Sequence, residues 1–377
     1  MPSFVKRLFV ALVILLALFA VNAMMSKQGL FGVGVPLYQV DLWKMAGINI
    51  ILAVSLNLIN GFTGQFSIGH VGFMAVGAYT SAYLTVYHTQ SLEQQLAGVV
   101  GAGAAAAIVF VFVILVGALA AAFAGLIVGI PTLRLRGDYL AIATLGFAEI
   151  IRILIVNINK VGAATGFRGA VDPWPGRITI PAYTDFLWIG IFVVITIVVI
   201  YNIVNSDTGR ALISIREDEL AAQAMGVNTT RYKVTAFVIS SAFAGVAGAL
   251  YGHWRLPHPN DFTFVRSFEI IIMIVLGGMG SITGSVLGAI VITFLPELLR
   301  QLPGGVYDYR LVIYALLLII IMITRPQGML GGREFGFNWL KRAQKAPEGG
   351  TAKGAAGVPI AERDDPVADP AKEVENR

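Results

Sequence analysis

Long apolar stretches recur along this chain with almost no charge inside them, at positions 8–25, 42–60, 65–87, 96–130, 139–157, 186–205, 234–252, 268–299 and 311–324. A helix needs ~20 apolar residues to cross a hydrocarbon slab, and a backbone deprived of water must close its hydrogen bonds within each segment. The pattern therefore specifies an all-α, polytopic membrane protein. Composition agrees, because 13% of residues are charged against ~25% in a soluble domain. The outer surface must face membrane lipid. No stretch alternates in the manner of a strand.

Two stretches are too long for one straight crossing. Positions 96–130 carry no charge and predict either a steep tilt or a span with an interfacial extension. Positions 268–299 hold Gly277, Gly278, Gly280, Ser281 and Gly284 near their middle, where a helix pair turns. With the polar interval 207–233 placed in the cytoplasm, parity puts Lys6, Arg7, Arg134 and Arg136 inside as well. Arg325, Arg333, Lys341 and Arg342 join them only if 268–299 crosses twice. The expectation is about ten transmembrane helices including broken or re-entrant segments, with both ends cytoplasmic.

Lys6 and Arg7 before an apolar run resemble the start of a signal peptide. The run exceeds the ~7–15 residues of a signal core and lacks a good cleavage site, so a retained first span is expected. After Arg342 the sequence turns to Ala, Gly, Pro and charge. Residues 1–342 are read as the membrane domain and 343–377 as a disordered cytosolic tail.

The interval 207–233, DTGRALISIREDELAAQAMGVNTTRYK, is the one long polar stretch between spans and carries both signs of charge. It predicts a short amphipathic helix over 216–225, stopped by Gly226 in a left-handed cap. A structured, charged helix between spans is read as a docking surface for a soluble partner rather than a tether.

Small residues cluster in NLINGFTGQFSIGHVGFMAVGAY, 57–79, and in LGGMGSITGSVLGA, 276–289. Such segments either let helices approach closely or unwind to expose amides and carbonyls. Glu149 and Arg152 stand one helical turn apart in an apolar span. They either mark a path through the membrane or neutralise each other. Glu269 and Glu297 lie near span ends, and His70 is expected to serve helix packing. The chain has no cysteine, and His70, His88, His253 and His258 are scattered, so no metal site is expected. No cluster of acidic residues and histidines suits catalysis. Gly-Lys never occurs, which excludes the phosphate-cradling loop of an ATPase. A formal charge of +5, thinly spread, gives no nucleic-acid patch.

GDYLAIATLGFAEI, 137–150, and GGMGSITGS, 277–285, together with the charged interval, resemble the inner-membrane permease subunit of branched-chain amino-acid ATP-binding-cassette importers, over roughly residues 40–330. The Glu-Ala-Ala of that family's coupling loop is altered here: Ala221 and Ala222 precede Gly226 at the family spacing, but Leu220 replaces the glutamate and Glu219 stands one place earlier. The outer loop reads Gly162-Ala-Ala-Thr-Gly166 instead of a tighter glycine run. The resemblance implies a permease domain with no catalytic residue and no cofactor, in the bacterial inner membrane. Cytosolic ATP-binding subunits would dock on Arg216, Glu217, Asp218, Glu219, Ala221, Ala222 and Gly226. A second, related permease would complete the channel, and a periplasmic or lipid-anchored binding protein would deliver an aliphatic amino acid. Candidates for the translocation path are Gly64, Ser67, Gly69, His70, Glu149, Arg152, Gly277, Gly278, Gly280 and Ser281. An importer of urea or short amides is the nearest alternative. An ion-coupled secondary amino-acid transporter, built on the glycine-interrupted segments of both halves, is the alternative from another class.

Overall fold

Pro36 sets the start of the first described helix in the computed structural model, α1 (Leu37–Asn57), whose last turn widens into a π-helical Leu58–Phe62. The structure describes residues 36–133, 135, 137–170 and 179–300, with positions 312, 313, 316, 319, 320 and 329. The run 8–25 with Lys6 and Arg7, Arg134 and Arg136, most of 311–324 and everything after Met329 lie outside the described residues. Compactness divides the chain into Met1–Glu334 and Phe335–Arg377, and the second unit is wholly outside them.

The helices then follow as α2 (His70–Tyr87), α3 (Gln90–Val100), α4 (Ala102–Thr132), α5 (Asp138–Val156), α6 (Phe186–Val204), α7 (Asp207–Glu217), α8 (Glu219–Ala224), α9 (Thr229–Gly252), α10 (Phe264–Gly277) and α11 (Ile282–Arg300). There is no strand among the described residues. Among the described residues, five helices are long and apolar enough to cross a membrane: α1 with its wide turn, α4, α5, α6 and α9. The chain is an all-α polytopic membrane protein.

Small residues let the central helices meet backbone to backbone. A Cβ on Gly77 of α2 would stand 2.2 Å from the Gly245 carbonyl of α9, and one on Gly117 of α4 would stand 3.0 Å from the Gly77 carbonyl. Association in lipid rests on such close packing, because lipid and protein interior are equally apolar. Phe73 and Phe237 fill the adjoining space edge to face, with centroids 5.5 Å apart. The helices on the rim bury less: only 28% of the apolar window of α5, and the same of α6, is covered by protein.

Several expectations are corrected by local chemistry. Positions 96–130 are not one continuous helix: Gly101 at φ 88° separates the amphipathic α3, which buries no residue, from the 31-residue α4, which fits the expectation of a span with an interfacial extension rather than a single tilted helix. The helix expected over 65–87 starts only at His70, after an irregular stretch. The break in 268–299, by contrast, falls among the expected glycines, at 278–281, where Gly278 and Gly280 take φ 112° and 81°, conformations open to glycine alone at low cost. The two halves fold back on each other, with the Cβ site of Gly277 only 2.0 Å from the Gly284 carbonyl. Helix α9 starts at Thr229, ahead of the expected 234, because the Asn228 side chain accepts from the Arg231 amide and caps it. Arg231 and Lys233 therefore belong to a helix and not to a loop.

The helix expected over 216–225 is broken at Asp218, which is extended at φ −154°, ψ 111°. Its carboxylate accepts from the Leu220 and Ala221 amides at 2.8 and 3.0 Å. It caps a new helix instead of continuing the old one. Gly226 does take the left-handed conformation, at φ 84°.

Candidate coupling site

Asn57, in the last turn of α1, ties two interrupted helices together. Its amide donates to the Ser281 carbonyl at 3.0 Å, and its oxygen accepts from the Gly280 amide at 2.9 Å. The turn between α10 and α11 is thereby fixed against the wide turn that ends α1. The approach is so close that a Cβ on Gly61 would stand 2.3 Å from the Gly280 nitrogen. Two glycine-rich segments separated by more than two hundred positions thus meet at one point.

Arg216, on the last turn of α7, reaches into that point. Its Nη1 donates to the Gly61 carbonyl at 2.9 Å, while Nη2 lies 3.2 Å from Glu217 Oε1 at the surface. Gly61 lies in the last turn of the π-helix, where carbonyls have no partner further along, and a charge-assisted bond satisfies this one. Gly64, at φ 72°, leaves the room: a Cβ there would lie 2.6 Å from Arg216 Cγ. Lys233 of α9, 8% exposed, pairs with Glu219 of α8 at 2.6 Å. The α7–α8 elbow is therefore held to the bundle by one cation of its own and one from α9. A cavity of about 220 Å³ opens beside them, lined by Gly64, Gln65, Asp138, Arg216, Glu219 and Lys233 among others.

The stretch between α1 and α2 is fastened from both sides. Asn60 donates to the Ser67 carbonyl at 3.2 Å and accepts from the Ser67 amide at 3.1 Å. Thr144 Oγ1 of α5 accepts from the Ile68 amide at 3.1 Å. A Cβ on Gly69 would press 2.4 Å from the Thr144 carbonyl. Among the described residues, three buried side-chain atoms lack any hydrogen-bond partner, and all lie here: Gln65 Oε1, Ser67 Oγ and His70 Nδ1. Buried polar atoms are nearly always paired, so three orphans within six positions set this stretch apart.

The structure thus brings together Gly64, Arg216, Glu217, Glu219, Gly280 and Ser281 around Gly61 and Asn57. Asp218, Ala221 and Gly226 lie on the exposed side of the elbow, and Ala222 is buried beneath it at 5% exposure. Ser67, Gly69 and His70 sit deeper, with His70 Nε2 2.9 Å from Ser55 Oγ. Gly277 and Gly278 form the hairpin end. Glu149 and Arg152 are elsewhere, paired at 2.7 Å on α5 with side chains 28% and 27% exposed. Asn57, Asn60 and Thr144 were not singled out from sequence. A polar residue inside an apolar run is the signal that marks them.

The Glu149–Arg152 pair yields a thermodynamic cycle. Glu149→Gln leaves Arg152 without its carboxylate and is expected to lower thermal stability. Adding Arg152→Gln is expected to restore most of the loss. Melting curves of the detergent-solubilised variants check this, and a double variant no more stable than the single one would refute it.

The family pattern described as "Branched-chain amino acid transport system / permease component" matches residues 38–322. The chain is 34% identical over 346 residues to the high-affinity branched-chain amino acid transport system permease protein LivM of Salmonella typhimurium, covering 84% of this chain and 73% of that relative. It is 25% identical over 329 residues to the probable branched-chain amino acid transport permease protein LivM of Methanocaldococcus jannaschii, covering 75% of this chain and 90% of the relative. A shorter match, 29% over 174 residues, is to the Salmonella typhimurium permease protein LivH, covering 46% of this chain and 53% of that one. No solved structure matches the chain.

Proposed function

This chain belongs to the family of permease components of branched-chain amino acid transport systems, and from that premise we propose that it forms one half of an importer channel for aliphatic amino acids in a bacterial inner membrane. Separate cytosolic ATP-binding subunits dock on the α7–α8 elbow. The observation that carries this reading is the position of Arg216, with one nitrogen on the carbonyl of an interrupted membrane helix and the other beside an exposed glutamate. The elbow also presents Leu220 and Met225, 63% and 84% exposed. Apolar side chains beside a charged rim suit a protein partner.

A second, related permease completes the channel, and a periplasmic or lipid-anchored protein delivers the solute. The partner permease covers α5. Helices α5 and α6 are equally uncovered within the bundle, but α6 has no charged residue and α5 carries Glu149 and Arg152 in its second half. A charge at that depth belongs against protein or water, not lipid. The path candidates Ser67 and His70 gain support from their unpartnered Oγ and Nδ1, since such groups are free to take up new partners when helices move.

Purification of the complex from its native membrane tests the reading. ATP-binding subunits and a second permease should co-elute, and the reconstituted complex should import leucine only with ATP. Uptake by this chain alone, driven by an ion gradient, would overturn it. Gly226→Val gives a sharper check. A Cβ at this position meets nothing within 4 Å, so the substitution acts through backbone strain at φ 84°. The variant is expected to insert normally, to co-purify with less ATPase and to lose most uptake. Normal uptake at equal expression would remove the elbow from the mechanism.

A further inference from the structure

At the end of the bundle opposite the elbow, where α9 hands over to α10 through residues 253–263, lies a second cavity of about 270 Å³. This is several times the ~30 Å³ share of one water molecule. Its lining combines three chemistries. Arg255 and Arg266 bring guanidiniums, Asp261 and Glu269 bring carboxylates, and Met45 and Met74 bring apolar surface from α1 and α2. We propose that this cavity is a receiving site for a zwitterionic amino acid with an aliphatic side chain, a step that rests on the transport reading above and locates where the solute first meets the permease.

The two arginines have different duties. Arg266 is committed: Nη1 bonds Glu269 at 2.6 Å and Nη2 bonds Asn49 Oδ1 at 2.5 Å. Asn49 is held in turn by Thr293 at 2.7 Å. This network fixes Glu269 in the wall, with only 21% of its side chain exposed. Arg255 is exposed, forms no ion pair with a described residue, and rests its guanidinium 4.7 Å over the Trp254 ring. Trp254 is itself anchored by its indole N–H on Asp41 at 3.0 Å. Arg255 is thus oriented without being neutralised, as a fork that receives a carboxylate requires.

Asp261 is set on the rim by the His258 amide, which donates to it at 3.1 Å. An α-carboxylate on Arg255 places the α-ammonium toward the carboxylates of Asp261 and Glu269. The side chain then points at the methionines, whose flexible thioethers accommodate differently branched aliphatic groups. A solute lacking its carboxylate leaves Arg255 unanswered, one lacking its ammonium offers nothing to Asp261, and a polar side chain meets the apolar floor.

Binding of free L-leucine at millimolar concentration to the purified, assembled complex tests this, without the delivery protein and with leucinamide and 4-methylpentanoate as probes lacking one charge each. Leucine is expected to bind, and both analogues to bind about tenfold more weakly or worse. Arg255→Gln is expected to weaken leucine by a similar factor and to abolish the preference over leucinamide, with Arg255→Lys intermediate. Equal leucine affinity in the wild-type and Arg255→Gln complexes would overturn the assignment. So would the absence of leucine binding in a complex that still imports leucine when the delivery protein is supplied. That second outcome leaves the transport reading standing, whereas a complex that imports no amino acid under any condition sinks the reading itself.

Discussion

Arg216→Ala is expected to cut uptake about tenfold or more while the ATP-binding subunits still co-purify and still hydrolyse ATP. The substitution removes the one side chain that joins the α7–α8 elbow to the Gly61 carbonyl. It leaves the Lys233–Glu219 anchor and the Asp218 cap in place. The elbow keeps its shape and its exposed face, so docking survives. Its displacement no longer pulls on the end of α1, and through Asn57 on the α10–α11 turn. The signature is a raised ratio of ATP hydrolysed to leucine imported. A merely structural role would instead lower expression and assembly. Arg216→Lys keeps the charge but not the fork, and is expected to recover uptake in part. Unchanged uptake in Arg216→Ala at equal expression would dissociate the elbow from the interrupted helices.

The arrangement of spans was legible because its causes are local. Apolar length places α1, α5, α6 and α9, and glycines with positive φ place the break at 278–281. Gly226 was read correctly as a left-handed stop for the same reason. What escaped depends on side chains acting over short distances within a polar run. Asp218 turns its carboxylate on the amides ahead of it and divides one expected helix into two, and a string of charged residues does not announce which of them will cap. Asn228 extends α9 backward by the same device. Gly101 is one of several small residues in GAGAAAA, and nothing local distinguishes a break there from a continuous helix.

The candidate site was legible in its parts and not in its assembly. The glycine segments and the charged elbow stand out separately, but the bond from Arg216 to Gly61 spans 155 positions. No periodicity encodes that distance. The outer cavity was invisible for a related reason. Arg255, Asp261 and Arg266 fall in a short connector and a helix start where charge is ordinary, and Glu269 was read as interfacial. Only the packing of α1 and α2 beneath them converts scattered charges into one chamber.

Gly61→Ala is expected to be a strongly damaging small substitution. The added Cβ would fall 1.9 Å from Asn57 Oδ1 and 2.3 Å from the Gly280 backbone nitrogen. Neither can yield cheaply, because the two atoms are bonded to each other at 2.9 Å. Overpacking of this kind costs ~1–3 kcal/mol, and stranding the Gly280 N–H adds a further ~1–3 kcal/mol, with the two terms coupled and not strictly additive. Gly103→Ala is the control, since a Cβ there meets nothing within 4 Å. It is expected to be neutral or slightly stabilising. Uptake should be lost in Gly61→Ala even where folded protein is recovered, because the two interrupted helices are pushed apart at the point Arg216 holds. Asn57→Ala added to Gly61→Ala relieves the side-chain clash but leaves the one with the Gly280 backbone, so it should recover little. Melting temperature and leucine uptake of the four variants, including Asn57→Ala alone, decide the matter. Full recovery in the double variant would show that Asn57 alone, and not contact between the two backbones, makes glycine necessary at 61.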